Sequence, residues 1–219
     1  MFLIRSIACM SVLSVTTAAF AHPEGDVNLT AAGGKLYTGL ISEDETQITP
    51  GVRVFFGEIG LDVPNVATEP GWLAVDGTFA AFTPISFDFM GSLKRWDGSS
   101  FVGNVAETMT LSFGPASATS PLSDVMSNGF AINTDEEGGL HDHPVFTLNN
   151  PATDGIYMLA LRFSAPGFDS SEPFWMLFGQ NAAEADIDAA FDFAVANVPA
   201  PSVGMLGLIT LVASSRRRR

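Results

Sequence analysis

Histidine is the residue type in this sequence whose number and spacing best suit chemistry. His141 and His143 are separated by one residue in the polar segment 138–143. On an extended strand, residues i and i+2 project from the same face, so both imidazoles can reach one ion. Imidazole nitrogens are common ligands of copper and zinc. This histidine pair (His141 and His143) therefore predicts a transition-metal site, with two surface histidines in a polar turn as the alternative.

A third histidine follows a segment with the features of a secretory signal peptide. Arg5 precedes an apolar stretch, and Ala19 and Ala21 satisfy the small-x-small rule for cleavage. Cleavage after Ala21 makes His22 the first residue of the mature chain. A first-residue histidine offers its α-amino nitrogen and a ring nitrogen as a chelate. His22 therefore joins the histidine pair as a candidate metal ligand.

A mature chain that starts with histidine resembles the histidine brace of copper monooxygenases and periplasmic copper carriers. His22 maps onto that pattern, and His141 or His143 would supply the partner ligand. The resemblance implies copper as the ion. It also implies an alternative function, either a copper metalloenzyme or a periplasmic metal carrier.

The acidic loop before the histidine pair is a second candidate cation site. Asn133, Asp135 and Glu137 place oxygen ligands at alternate positions before Gly138, like the opening of an EF-hand loop. The twelfth position is Pro144, where such a loop needs a glutamate. Calcium is thus the alternative to copper or zinc, and a solvated acidic loop is the structural alternative.

Other catalytic signatures are absent from the sequence. It contains no Gly-x-Ser-x-Gly motif, no phosphate-binding loop and no zincin motif. Cys9 is the only cysteine and lies in the predicted leader, so the mature chain has no thiol chemistry and no disulfide. Trp96 is a candidate for stacking on a sugar ring, although tryptophan more commonly packs in cores. These observations favour a non-catalytic protein.

The end of the chain has the layout of a membrane-sorting signal. Pro199 and Pro201 precede the uncharged stretch 203–213, and the chain ends in Arg216, Arg217, Arg218 and Arg219. A basic cluster after an apolar segment stays on the cytoplasmic side of the membrane. The uncharged residues 201–215 would span ~22 Å as a helix, less than the ~30 Å hydrocarbon core. Transient membrane association is therefore predicted.

This tail, residues 198–219, resembles the PEP-CTERM sorting signal, in which a Pro-x-Pro motif, an apolar helix and an arginine-rich end are recognised by exosortase-type membrane proteases. Pro-Ala-Pro at 199–201 replaces the usual Pro-Glu-Pro. The resemblance implies processing by signal peptidase and an exosortase-type protease, with the tail initially in the inner membrane. It also implies a cell-envelope or extracellular location, because such signals often accompany exopolysaccharide systems.

The segment between the two signals, residues 22–197, is strongly acidic. It contains all 24 acidic residues of the chain but only half of the 10 basic ones. Such a surface repels nucleic acid and anionic lipid, and it attracts cations. Nucleic acid is therefore excluded as a partner, whereas an exopolysaccharide matrix remains a candidate.

The same segment is predicted to be one all-β domain, a jelly-roll-like β-sandwich, because short apolar runs alternate with glycine and proline turns. Residues 85–90 alternate with period two, and Asp97-Gly98 predicts a hairpin turn. The run 174–178 is apolar on both faces, as in a central strand. Further predictions are strands at 73–82 and 141–148 and a loop at 117–128.

One helix is predicted between the last strand and the tail. Asn181 is a suitable cap, and Ile187, Phe191, Ala194 and Val195 fall on one face at helical spacing. The sequence as a whole thus predicts an exported binding or structural module of the envelope or matrix, with a possible copper or zinc site. A histidine-brace-like metalloenzyme or metal carrier is the alternative.

Overall fold

The alternation of apolar runs and turns produces sixteen strands and one helix in the part of the chain that the computed structural model describes, residues 25–103 and 105–197. The leader with Ala19 and Ala21, His22, and the tail with its prolines and arginines lie outside those ranges. The elements are Asp26–Ala32 (β1), Lys35–Ile41 (β2), Ile48–Pro50 (β3), Val54–Ile59 (β4), Val66–Ala67 (β5), Trp72–Ala74 (β6), Pro84–Phe89 (β7), Lys94–Trp96 (β8), Phe101–Val102 (β9), Met109–Phe113 (β10), Ala116–Thr119 (β11), Ser127–Asn133 (β12), Leu140–Asp142 (β13), Val145–Leu148 (β14), Gly155–Ser164 (β15), Phe174–Gln180 (β16) and Glu184–Asn197 (α1).

The strands form three sheets around a shared apolar core. Their orders are β13-β6-β1-β2-β3, β11-β10-β14-β5 and β12-β7-β15-β16-β4, with β8 and β9 attached to the third sheet at β15. Each sheet supplies fully buried side chains to the core, for example Trp72, Leu111 and Phe163. The predicted all-β, sandwich-like fold with one C-terminal helix is confirmed.

Local patterns predicted several of these strands well. In β7, Ile85, Phe87 and Phe89 are buried and alternate with partly exposed residues, as the period of two requires. The pairing of β8 with β9 confirms the hairpin at Asp97-Gly98. The apolar run in β16 lies between β15 and β4, so it is an interior strand of its sheet.

Two predicted boundaries in loop regions were wrong. The strand predicted at 73–82 ends at Ala74, because the chain then turns through Asp76 and Gly77, whose φ of 76° lies in the left-handed region. The loop predicted at 117–128 contains β11, which pairs with β10. The alanine, serine and threonine residues of β11 give little apolar pattern by which a strand could be predicted. The strand forms because it pairs with β10.

The strand predicted at 141–148 is two strands that belong to different sheets. β13 pairs with β6 in the first sheet, and β14 pairs with β10 in the second. Pro144 separates them because proline has no N–H group to donate to a sheet ladder. The chain therefore passes from one sheet to the next directly after His143.

The predicted helix is present, but its predicted cap was wrong. Asn181 lies before the helix with a φ of 46°, and its side-chain amide donates to the Asp154 carboxylate at 2.8 Å. The backbone N–H groups of Asp186 and Ile187 instead donate to the carbonyl of Ala183, so α1 begins there. The N-cap position therefore belongs to Ala183, and Asn181 lies two residues before it.

The buried face of α1 packs on β4, β15 and β16. Ile187 and Ala194 are buried as predicted, whereas Val195 is 51% exposed. Trp96 packs beside the helix, with its ring centroid 5.2 Å from Phe101 and 5.3 Å from Phe193. No helix among the described residues has the length and apolar character needed to cross a bilayer.

Candidate metal site

The first sheet brings the histidine pair to an acidic residue from the start of the described chain. Asp142 of β13 lies opposite Trp72 of β6, and Trp72 in turn lies opposite Val27 of β1. Asp26, the first residue of β1, therefore lies at the same end of the sheet as the histidine pair. His143 is the residue at which the chain leaves β13.

Three ligand atoms converge at that end of the sheet. The Nε2 atoms of His141 and His143 are 3.3 Å apart, and Asp26 Oδ2 lies 3.4 Å from the first and 3.9 Å from the second. Among the described residues, these are the side chains that form a group of three potential metal ligands. We refer to Asp26, His141 and His143 as the three-ligand site.

Each of these side chains also has an outer atom, the ring nitrogen or carboxylate oxygen that does not converge with the other ligands. The outer nitrogens of the two histidines contact neighbouring groups. His143 Nδ1 lies 3.1 Å from Glu69 Oε1 and 3.3 Å from the carbonyl oxygen of Thr68. A carbonyl only accepts hydrogen bonds, so the neutral tautomer that suits this contact has its proton on Nδ1 and its metal-binding lone pair on Nε2. His141 Nδ1 lies 3.5 Å from Glu45 Oε1. Metal-binding histidines in proteins commonly show this arrangement, in which the outer nitrogen donates to a carboxylate or carbonyl.

Asp26 is oriented in the same way by the backbone. The N–H group of Gly71 donates to Asp26 Oδ1 at 2.7 Å, so Oδ2 remains available on the inner side. Gly71 also lies directly against His143, because a Cβ at this position would be 2.7 Å from ring atoms Cε1 and Nδ1. The ring of His143 can therefore occupy its position only beside a glycine.

The three-ligand site lies in a cleft with a volume of about 480 Å³. The cleft is lined by the carboxylates of Glu43, Glu45, Glu58 and Glu69 and by apolar groups that include Phe56. Partial burial raises the pKa of the Glu69 carboxyl group; His143 opposes this shift, and Asp26 adds to it. Several carboxylates at one opening concentrate cations near the ligands.

Comparison with known proteins gives no assignment. No protein-family model matches the sequence, and no curated protein matches it. The function is therefore interpreted from the geometry of the site.

In the predicted calcium loop, Asp135 forms hydrogen bonds within the loop itself. Asp135 Oδ1 accepts the backbone N–H groups of Glu137 at 3.0 Å and Gly139 at 2.8 Å. Asn133 is exposed at the end of β12. Within the described ranges, neither Asp135 nor Glu137 belongs to a group of three convergent carboxylate or imidazole ligands.

Sequence reasoning selected the histidine pair but not Asp26. The i, i+2 spacing of the histidines is a local signal, and the structure does place their rings together, with centroids 5.2 Å apart. Asp26 has no local signal, since its place in the site depends on the pairing of β1, β6 and β13. Glu45 and Glu69 come from loops and were equally indistinguishable from other acidic residues.

Proposed function

We propose that this protein is an exported binding module of the cell envelope or extracellular matrix that holds a transition-metal ion in the three-ligand site. The convergence of two imidazole nitrogens and one carboxylate oxygen within 3.9 Å is the observation that supports metal binding. Two nitrogen ligands suit zinc or copper, whereas calcium prefers sites made of oxygen ligands alone.

His22 is proposed as an additional ligand from the mature N-terminus. Gly25 borders the cleft and follows His22 by three residues. Three extended residues reach about 10 Å, a length that would allow the α-amino group and ring of His22 to enter the cleft. Signal-peptide cleavage after Ala21 is required, because it creates the free amine.

The proposed location rests on the two terminal signals. Export follows from the signal peptide, and retention at the envelope or release to a matrix follows from the PEP-CTERM-like tail. Intact mass spectrometry of the native protein tests both, since it locates both ends of the mature chain. A mass that retains residues 1–21 would exclude the His22 ligand.

Metal binding is tested with purified protein that starts at His22. We expect about one Zn²⁺ or Cu²⁺ ion per chain after equilibrium dialysis and elemental analysis. The His141→Ala, His143→Ala double variant should lose this ion, whereas Glu136→Gln, which removes an exposed carboxylate outside the cleft, should retain it. Equal metal uptake by the double variant would exclude the three-ligand site.

A histidine-brace-like copper enzyme or a metal carrier at the same residues is the second candidate. This second function is favoured by the short separation in sequence between His22 and Gly25, which lines the cleft. Dioxygen consumption by the copper-loaded protein in the presence of a reductant would distinguish this enzyme from a binding module.

A further inference from the structure

We infer that the three-ligand site is preformed for a tetrahedral zinc ion and that the fourth coordination position of the ion opens on the acidic cleft. This inference rests on the proposed metal-binding function. Beyond metal binding itself, it specifies which ion binds, how that ion is coordinated and whether a further ligand can reach it.

Two of the three separations between the ligand atoms match the edges of a tetrahedron. Ligands at the usual zinc distances of about 2.0–2.1 Å occupy corners about 3.3–3.4 Å apart. Adjacent ligands of a square-planar ion with similar bond lengths are only about 2.9 Å apart. The separation of the two Nε2 atoms is 3.3 Å, and that between His141 Nε2 and Asp26 Oδ2 is 3.4 Å. Only the 3.9 Å separation between His143 and Asp26 must shorten, by about 0.5 Å.

The ligands keep these positions through contacts that do not involve an ion. Glu69 and the Thr68 carbonyl hold the outer nitrogen of His143, and the Gly71 N–H group holds the outer oxygen of Asp26. Each contact engages the outer atom, and the inner atom is the one that converges with the other two ligands. Zinc can therefore bind with little loss of side-chain freedom, which reduces the entropic cost of binding.

The fourth corner of the tetrahedron has no described protein ligand that converges with the other three. The side chains of His141 and His143 are 46% and 36% exposed, and both line the cleft. Structural zinc sites are closed by four protein ligands, whereas sites that exchange a ligand keep three and leave one position open. The fourth position is therefore available to water, to a small neutral ligand or to the chain that precedes Gly25.

Cobalt(II) in place of zinc tests the geometry. We expect the mature protein to bind one Co²⁺ with the intense visible bands of four-coordinate cobalt, and Zn²⁺ to displace them. Weak bands, typical of six-coordinate cobalt, would overturn the tetrahedral site while leaving the proposed metal binding intact. Failure to bind either Co²⁺ or Zn²⁺ would overturn both.

Imidazole tests the fourth position, with wild-type protein and the His22→Ala variant compared in their cobalt forms. A shift of the visible bands in both proteins, with cobalt still bound, is expected if the position is open. A shift in the variant alone would show that His22 occupies the position and would overturn the open fourth position in the mature protein. The absence of a shift in both proteins would overturn the open fourth position.

Discussion

Gly71→Ala is the substitution that tests the described geometry most directly. The new Cβ would lie 2.7 Å from two ring atoms of His143 and 2.9 Å from Nε2. Comfortable contacts between carbon atoms are about 3.5–4.0 Å, so the ring must move by roughly 1 Å. Residue 71 keeps its N–H group, and therefore its hydrogen bond to Asp26.

This shift of the His143 ring should strongly affect zinc binding but should hardly affect the stability of the fold. Ligand distances in metal sites hold to about 0.2 Å, so a ring moved by roughly 1 Å cannot bind without distortion. We expect zinc affinity to fall on the order of 10- to 100-fold, the range typical of disturbed ligand orientation. The ring is at the surface and can swing towards solvent, so the free energy of unfolding should change by less than about 1 kcal/mol.

Zinc affinity is measured by competition with a chelating dye, and stability by urea unfolding without metal. Gly103→Ala is the matched control, because its new Cβ would mainly meet the flexible end of Lys94. This control should leave zinc affinity unchanged. Unchanged zinc affinity in Gly71→Ala would refute the proposal that His143 binds the ion from its described position.

Three further predictions concern single side chains. Glu69→Gln should weaken zinc binding about tenfold by removing the carboxylate beside His143 Nδ1, whereas Glu58→Gln, which removes the same charge from the same cleft, should change affinity much less. Tyr157→Phe removes a buried hydroxyl group with several hydrogen-bond partners and should lower the free energy of unfolding by about 1–2 kcal/mol in urea titrations. The hydrogen bond from Lys94 lowers the pKa of Asp124 from 3.8 to about 2, so this carboxylate stabilises the fold above pH 3.8, and the contribution is lost as the pH falls through 2. The stability of Asp124→Asn, measured by acid unfolding, should lack that part of the pH dependence. A profile identical to that of the wild-type protein would count against the ion pair.

Features that depend on neighbouring residues could be predicted from the sequence. The period of two in β7, the turn at Asp97-Gly98 and the apolar run of β16 each reflect side chains close together in the chain. The spacing of the histidine pair is local in the same sense, and the centroids of the two rings lie 5.2 Å apart.

The other features of the site and the fold depend on contacts between segments that are distant in the sequence. Only the tertiary structure could therefore reveal them. Asp26 reaches the histidine pair only through the register of three strands, two of which pair in parallel. The cap predicted at Asn181 was wrong because the helix begins two residues later, with Ala183 at the N-cap position. Pro144 limited β13 to three residues, but only the fold shows that the break separates two sheets and leaves His143 at the cleft. The amino-acid pattern thus supplied two of the proposed metal ligands, and strand pairing supplied the third together with the carboxylates beside them.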